Sequence, residues 1–248
     1  MKLPKEYKIE KPIARGQQGS KVKLIQEWLS LNGISVSIDK SFGYATERGI
    51  QKFQASKNIS VTGTIDQNTF DAMIAPMSRA LSDIAEINLD FNQLVVKYAE
   101  QHCKENPREI GNPNCGPWVR LYMNGNEGEQ WFWCAGFAMF IMKQSAEILN
   151  LSIPFNPTFS CDNIAFQAKK NGYFLSERNS KPELIKSGSL FIKRNSPGDW
   201  VHTGIVIQAH ADSFETIEGN TNDDGSRDGY EVCRRVRGYE SMDFVVFK

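Results

Sequence analysis

Apolar residues in the first third of the chain recur at helical spacing. Val22, Ile25 and Leu29 stand at i, i+3 and i+7 with Leu24, Trp28 and Leu31 beside them, which predicts a helix from Gly19-Ser20 to a stop at Asn32-Gly33. A second helix is predicted from Tyr44 to Lys57 with Ile50 and Phe53 turned inward. A turn at Val61-Thr62-Gly63 and a third short helix from Asp66 to Met73 follow it. Three short helices within about 60 residues form a small bundle that is marginally stable alone. Residues 1–14 read as an extended lead-in and 77–90 as a mixed, polar linker. Phe91, Leu94, Val95, Tyr98 and Ala99 then mark one face of a helix ending near Lys104. The runs Asn106-Pro107-Arg108 and Gly111-Asn112-Pro113-Asn114 mark a loop. Cys134 opens an apolar helix-like run through Phe137, Ala138, Met139, Phe140, Ile141 and Met142. From Ser189 the period becomes that of strands, at 189–192, 204–207, 214–218 and 244–247. Helices followed by an antiparallel meander predict an α+β domain over residues 91–248, behind a three-helix module at 15–76.

Composition changes this picture only slightly. Of 248 residues, 40% are apolar and 23% charged, with 29 cations against 29 anions, the balance of an ordinary globular protein. Residues 1–80 hold 12 Lys and Arg against 7 Asp and Glu, and residues 81–248 hold 17 against 22, so a basic module precedes an acidic one. Five excess charges suit an anionic polymer and suit plain solubility equally well; nothing points to nucleic acid. The start Met1-Lys2-Leu3-Pro4-Lys5-Glu6 has no apolar core of a secretory signal, and no run approaches the ~18 apolar residues of a membrane span. The expectation is synthesis in the cytoplasm without a signal peptide, action elsewhere only after release or delivery, and no membrane insertion. Five cysteines (103, 115, 134, 161 and 233) fit one reactive thiol plus four others. Those four allow two disulfides in three pairings, or buried thiols; reduced thiols are the expectation for such a chain.

Candidate chemistry centres on Cys134. A cysteine is more often a small core residue than a nucleophile. Here Trp131, Phe132 and Trp133 wall it, and a helix beginning at Cys134 would aim its unpaired N–H groups at the sulfur, favouring the thiolate. The same amides could stabilise an oxyanion. Of three histidines, His102 adjoins a polar loop and His210 ends a strand beside Asp212, so both are expected to be solvated. His202 heads the apolar strand Ile205-Val206-Ile207 and suits a base, or simply a strand end. Glu218 and Asn220 lie two apart in a strand and hence on one face. Either could orient an imidazole, and either could instead be a strand charge or a turn former.

Two resemblances give these residues an order. Gly19, Leu24-Ile25-Gln26-Glu27-Trp28-Leu29, Asp39-x-x-Phe42-Gly43, Thr46, Phe53-Gln54 and Val61-Thr62-Gly63-x-x-Asp66-x-x-Thr69 resemble the peptidoglycan-binding domain 1 family over residues 15–76. Trp133-Cys134-Ala135-Gly136-Phe137, His202-Thr203-Gly204-Ile205-Val206 and Ile217-Glu218-Gly219-Asn220-Thr221-Asn222 resemble the CHAP amidohydrolase/peptidase family, a papain-like branch of the NlpC/P60 hydrolases. That likeness extends to Arg108-Glu109-Ile110-Gly111, Gly116-Pro117-Trp118-Val119, Gly225-Ser226-Arg227-Asp228-Gly229 and Arg234-Arg235. It implies a papain-like α+β domain with a central antiparallel sheet. Within it Cys134 would be the nucleophile, His202 the base, Glu218 the orienting group and Asn220 a polar support. Glu218 is preferred over Asn220 because a carboxylate better stabilises an imidazolium.

Some members of that family bind calcium through an acidic loop before the cysteine. Asn124-Gly125-Asn126-Glu127-Gly128-Glu129 carries only two carboxylates, and Asp223, Asp224 and Asp228 fit no standard calcium spacing, so no metal and no cofactor are expected. The resemblances together imply a monomeric cell-wall hydrolase with bacterial peptidoglycan as its partner, of the endolysin or delivered-toxin kind. It would cut either the N-acetylmuramoyl-L-alanine amide or a peptide bond. The alternatives are a wall-binding protein whose CHAP-like half is inert, and an amidase of small soluble peptide conjugates.

Overall fold

Helix α1 (Ser20–Leu31) forms where the apolar spacing places it, burying Val22, Leu24, Ile25, Trp28 and Leu29. It ends at Asn32, where Gly33 turns left-handed at φ 79° and Ile34 N–H returns to the Leu29 carbonyl at 2.9 Å. Helix α2 (Tyr44–Ser56) packs Ile50 and Phe53 against it. Helix α3 (Gln67–Met73) is capped by Asp66, whose carboxylate accepts the Thr69 N–H at 2.8 Å. The protein is described by a computed structural model covering residues 1, 3–86, 88–153, 155–222 and 229–247.

Two stretches read as connectors are packed. In the lead-in, Tyr7, Ile9 and Ile13 are buried, and Ile13 bridges Ile65. The polar stretch after residue 76 overlaps helix α4 (Ala75–Ala80), which has Pro76 in its first turn and buries Met77 and Ala80, with Leu81 buried just beyond it. Met77, Ala80 and Leu81 draw the segment onto the core.

The remainder is α+β. Helix α5 (Phe91–Lys104) opens on a capping box between Asp90 and Gln93. Helices α6 (Pro117–Tyr122), α7 (Cys134–Ile148) and α8 (Cys161–Lys170) follow. The strands are β1 (Phe174–Leu175), β2 (Leu190–Ser196), β3 (Asp199–Ala209), β4 (Phe214–Thr221), β5 (Glu231–Arg237) and β6 (Met242–Val245). They form one six-stranded sheet in the order β1-β6-β2-β3-β4-β5, and every pairing is antiparallel. Helix α7 packs on β3 and β4. A second apolar cluster, including Phe191, Val206, Phe214 and Phe244, fills out the sheet apart from the main core.

The two regions meet through α1 and α6. The Trp28 and Trp118 rings contact edge-on at 6.0 Å. Arg120 reaches from α6 to the buried Glu27 of α1 at 2.6 Å and to Glu127 at 2.6 Å, while Lys23 binds Glu127 at 2.5 Å. Glu127, one of the two carboxylates in the loop considered for calcium, is therefore held by two cations and by the Gly116 N–H. Asp223, Asp224 and Asp228, together with Gly225-Ser226-Arg227, lie outside the described residues. None of the five cysteines is in a disulfide.

His102 differs from expectation. It is fully buried, with Nδ1 at 2.9 Å from the Tyr122 hydroxyl and Nε2 at 3.0 Å from Gln144 Oε1. The reason lies in the helix period: His102 is four residues beyond Tyr98 and continues the inward face of α5. Burial lowers its pKa from 6.5 to about 4. In that interval the unfolded chain binds a proton that the folded protein refuses, so the contribution to stability is complete above 6.5 and is lost as pH falls toward 4. Urea unfolding should therefore lose about 2 kcal/mol from this group between about pH 7 and pH 5. A His102→Gln variant is expected to show a correspondingly flatter profile; an unchanged slope would exclude His102 as its source.

Candidate active site

The site is built where α7 meets β3 and β4. Cys134 is the first residue of α7, and Trp133 immediately before it is anchored twice. Its backbone N–H donates to Asn220 Oδ1 at 2.9 Å, and its indole Nε1–H donates to Glu109 Oε1 at 2.8 Å. Tyr122 stacks on the Trp133 ring at 5.7 Å. These contacts fix the start of α7, whose first-turn amides have no partner within the helix.

The glycines of the two strand motifs are there for close approach. A side chain at Gly204 would place Cβ 2.6 Å from Glu218 Cγ, and one at Gly219 would place it 2.6 Å from Phe137 Cβ. Gly204 thus lets Glu218 lie across β3, and Gly219 lets α7 press on β4.

His202 and Glu218 are both buried, and His202 Nε2 lies 2.8 Å from Glu218 Oε2. With Nε2 committed to the carboxylate, Nδ1 is the ring nitrogen left for the Cys134 thiol, with which His202 interacts electrostatically. The Phe191 ring lies 5.9 Å from the imidazole. Asn220 does not share this contact, although strand alternation put it on the same face as Glu218. The β4–β5 register slips between Glu218 and Thr221, and Asn220 adopts a left-handed φ of 53°. Its amide turns to the Trp133 N–H and to the Gly229 carbonyl at 2.5 Å. It supports the loop before Cys134 rather than the imidazole of His202.

Three partners escaped sequence reasoning. Arg237 at the end of β5 grips Glu218 in a bidentate pair, with Nε and Nη2 each 2.5 Å from a carboxylate oxygen. Thr216 donates to the same carboxylate at 2.5 Å. Strand β5 was not anticipated from the sequence, so nothing there gave Arg237 a special place. The third is Cys161, whose Sγ stands 3.9 Å from Cys134 Sγ. Nothing local marks it, because the contact joins the starts of two separate helices.

Electrostatics follow from these contacts. The thiol of Cys134 is held well below its ordinary pKa by its hydrogen bond with Cys161, by His202 and by the Thr203 backbone, against the opposing effect of burial. Burial also opposes charge on His202, but the Cys134 sulfur and then Glu218 raise its pKa to about 9. Burial would push the Glu218 carboxyl up; Arg237 and His202 reverse this and bring it down to about 2. The arrangement therefore favours a thiolate beside an imidazolium, backed by a carboxylate that is itself clamped. His210, half-exposed, pairs with Glu215 at 3.2 Å.

Comparison with known proteins bears on the N-terminal module. Residues 18–73 match the model of a family described as "Putative peptidoglycan binding domain". A peptidoglycan-binding domain occupies this part of the chain. Its boundaries enclose α1, α2 and α3, and the match supports an association with the cell wall. Among solved structures, the crystal structure of the SleB N-terminal domain is similar at 26% identity, over 27% of this chain and 93% of that one, with a TM-score of 0.26. No curated protein matches the chain.

Proposed function

We propose that the protein is a cysteine-dependent peptidoglycan hydrolase that cleaves an amide bond, acting on the wall polymer after release or delivery. The observation that carries this reading is the buried Cys134–His202–Glu218 series at the start of α7, with the imidazole 2.8 Å from the carboxylate. A wall-binding domain on the same chain supplies the substrate class and raises the local concentration of cleavable bonds. The Cys134 thiolate attacks the amide carbonyl, and the oxyanion forms against the free amides at the head of α7. His202 gives its Nδ1 proton to the leaving amine while Glu218 holds Nε2. Water, deprotonated by the same imidazole, then attacks the thioester and releases the acid.

Purified walls incubated with the native protein should gain new amino groups and no new reducing sugar ends. Protein alkylated at Cys134 should stay wall-bound and inactive. Walls that gain no amino groups, or hydrolysis that survives alkylation, would sink the reading.

The pH profile gives a second test. The productive pair needs Cys134 ionised and His202 protonated. Cys134 ionises well below its usual range, so activity should already be established in mildly acidic solution. Loss of the His202 proton at about 9 removes the acid required by the leaving amine, so kcat/KM should fall above that pH. A rate still climbing through that region, as an unassisted thiol would give, contradicts the ion pair.

A further inference from the structure

The mechanism above uses Cys134, His202 and Glu218, yet a further thiol, that of Cys161, stands against Cys134. Cys161 begins α8 just as Cys134 begins α7, and the two sulfurs lie 3.9 Å apart, both residues being buried. The start of α8 is tied down independently. Ser160 Oγ caps it by accepting the Asn163 N–H at 3.3 Å, and Asp162 Oδ1 accepts the Trp200 N–H at 2.7 Å, two residues before His202 on β3. Cys161 is thus held against the site by the strand that carries the base.

Two helix N-termini whose first residues bring their sulfurs within 3.9 Å make a region that favours one negative charge. Two thiolates at this separation would repel strongly, so the pair holds one charge and keeps one proton, as paired carboxylates do. The groups facing Cys134 decide where the charge settles. His202 and the Thr203 backbone face it from β3, and Cys161 faces it from α8; Glu218 of β4 and Arg237 of β5 act behind the imidazole. The imidazolium at Cys134 puts the charge there and leaves the proton on Cys161.

We propose that Cys161 is a positioning residue of this site: its S–H donates a hydrogen bond to the Cys134 thiolate and so sets the reactivity of the nucleophile. The assignment rests on Cys134 being the nucleophile of the proposed reaction and adds to it a donor from a separate helix. A cysteine there only to fill space would be replaceable by alanine with no change in the ionisation of its neighbour.

The test reads the thiol and does not require hydrolysis. The rate of Cys134 alkylation by iodoacetamide is followed against pH by peptide mass spectrometry in the full chain. Cys161→Ala is expected to slow labelling about tenfold in mildly acidic solution and to move the profile upward. Cys161→Ser, which keeps a donor, should stay within about threefold of the native rate. An unchanged profile in Cys161→Ala, or a serine variant as slow as the alanine one, overturns the proposal. The native protein supplies a check independent of any variant: Cys134 should take label first, with Cys161 lagging, and equal rates at both overturn it. A shifted profile in a protein that hydrolyses no wall supports the Cys161 assignment and overturns the hydrolase reading alone.

Discussion

Replacing Cys134 with alanine is expected to lower amide cleavage in cell walls by at least about 10⁴-fold while leaving wall binding unchanged. The size follows from the absence of a substitute: without the sulfur no acyl-enzyme forms, and the remaining amides of α7 can only polarise a carbonyl toward water. The constancy of binding follows from placement, because the wall-binding match ends at residue 73, far along the chain from α7. Nucleophile and base act as a unit, so adding His202→Ala to Cys134→Ala should cost no more than about threefold further. Amino-group release and sedimentation with walls measure the two quantities separately. A Cys134→Ala protein retaining more than about 1% of native cleavage would remove Cys134 from the nucleophile's role.

What could be read from sequence was what depends on neighbours along the chain. The first three helices follow from apolar residues at helical spacing and from local stop signals such as Asn32-Gly33, and they form within a residue of the expected bounds. The preference of Glu218 over Asn220 rested on the chemistry of an imidazolium, and the carboxylate is the group that touches the ring. The features missed depend on contacts between distant segments. Arg237 looks like any exposed strand arginine until β5 is paired with β4, and Cys161 gains meaning only when two helix starts are brought together. Strand alternation misplaced Asn220 because a register slip cannot be seen in the residue pattern. His102 was a different failure: its place on the inner face of α5 was legible from Tyr98, and the polar loop beside it distracted from the period. Helix α8 and strand β5 were overlooked because both carry many polar residues among few apolar ones, with Phe166 on the outer face of α8.

The clamp on the base makes a second large effect. Glu218→Gln is expected to reduce hydrolysis by about 10³- to 10⁴-fold and to lower folding stability by about 3–5 kcal/mol. The carboxylate presents two oxygens, and both are in use. One accepts from His202 and the Arg237 Nη2, the other from Thr216 and the Arg237 Nε. Glutamine keeps one oxygen and places an amide donor where the other stood. If the oxygen goes to His202, the guanidinium meets an N–H; if it goes to Arg237, the imidazole must accept at Nε2, which selects the wrong tautomer and withdraws support from the imidazolium. In either case Arg237, whose side chain is only 11% exposed, loses its countercharge. The stability loss and the rate loss can be separated, because an unpaired buried arginine causes most of the former and none of the latter. Adding Arg237→Met should recover most of the stability, since an apolar side chain of similar length suits the Phe191 surface over which the guanidinium lies at 5.2 Å. It should recover almost none of the rate, because the imidazole still lacks its carboxylate. Urea unfolding and amino-group release on the single and double variants make the comparison. A Glu218→Gln protein within about tenfold of native activity would show that His202 needs no anionic partner, and a double variant as unstable as the single one would show that Arg237 is not the charge left stranded.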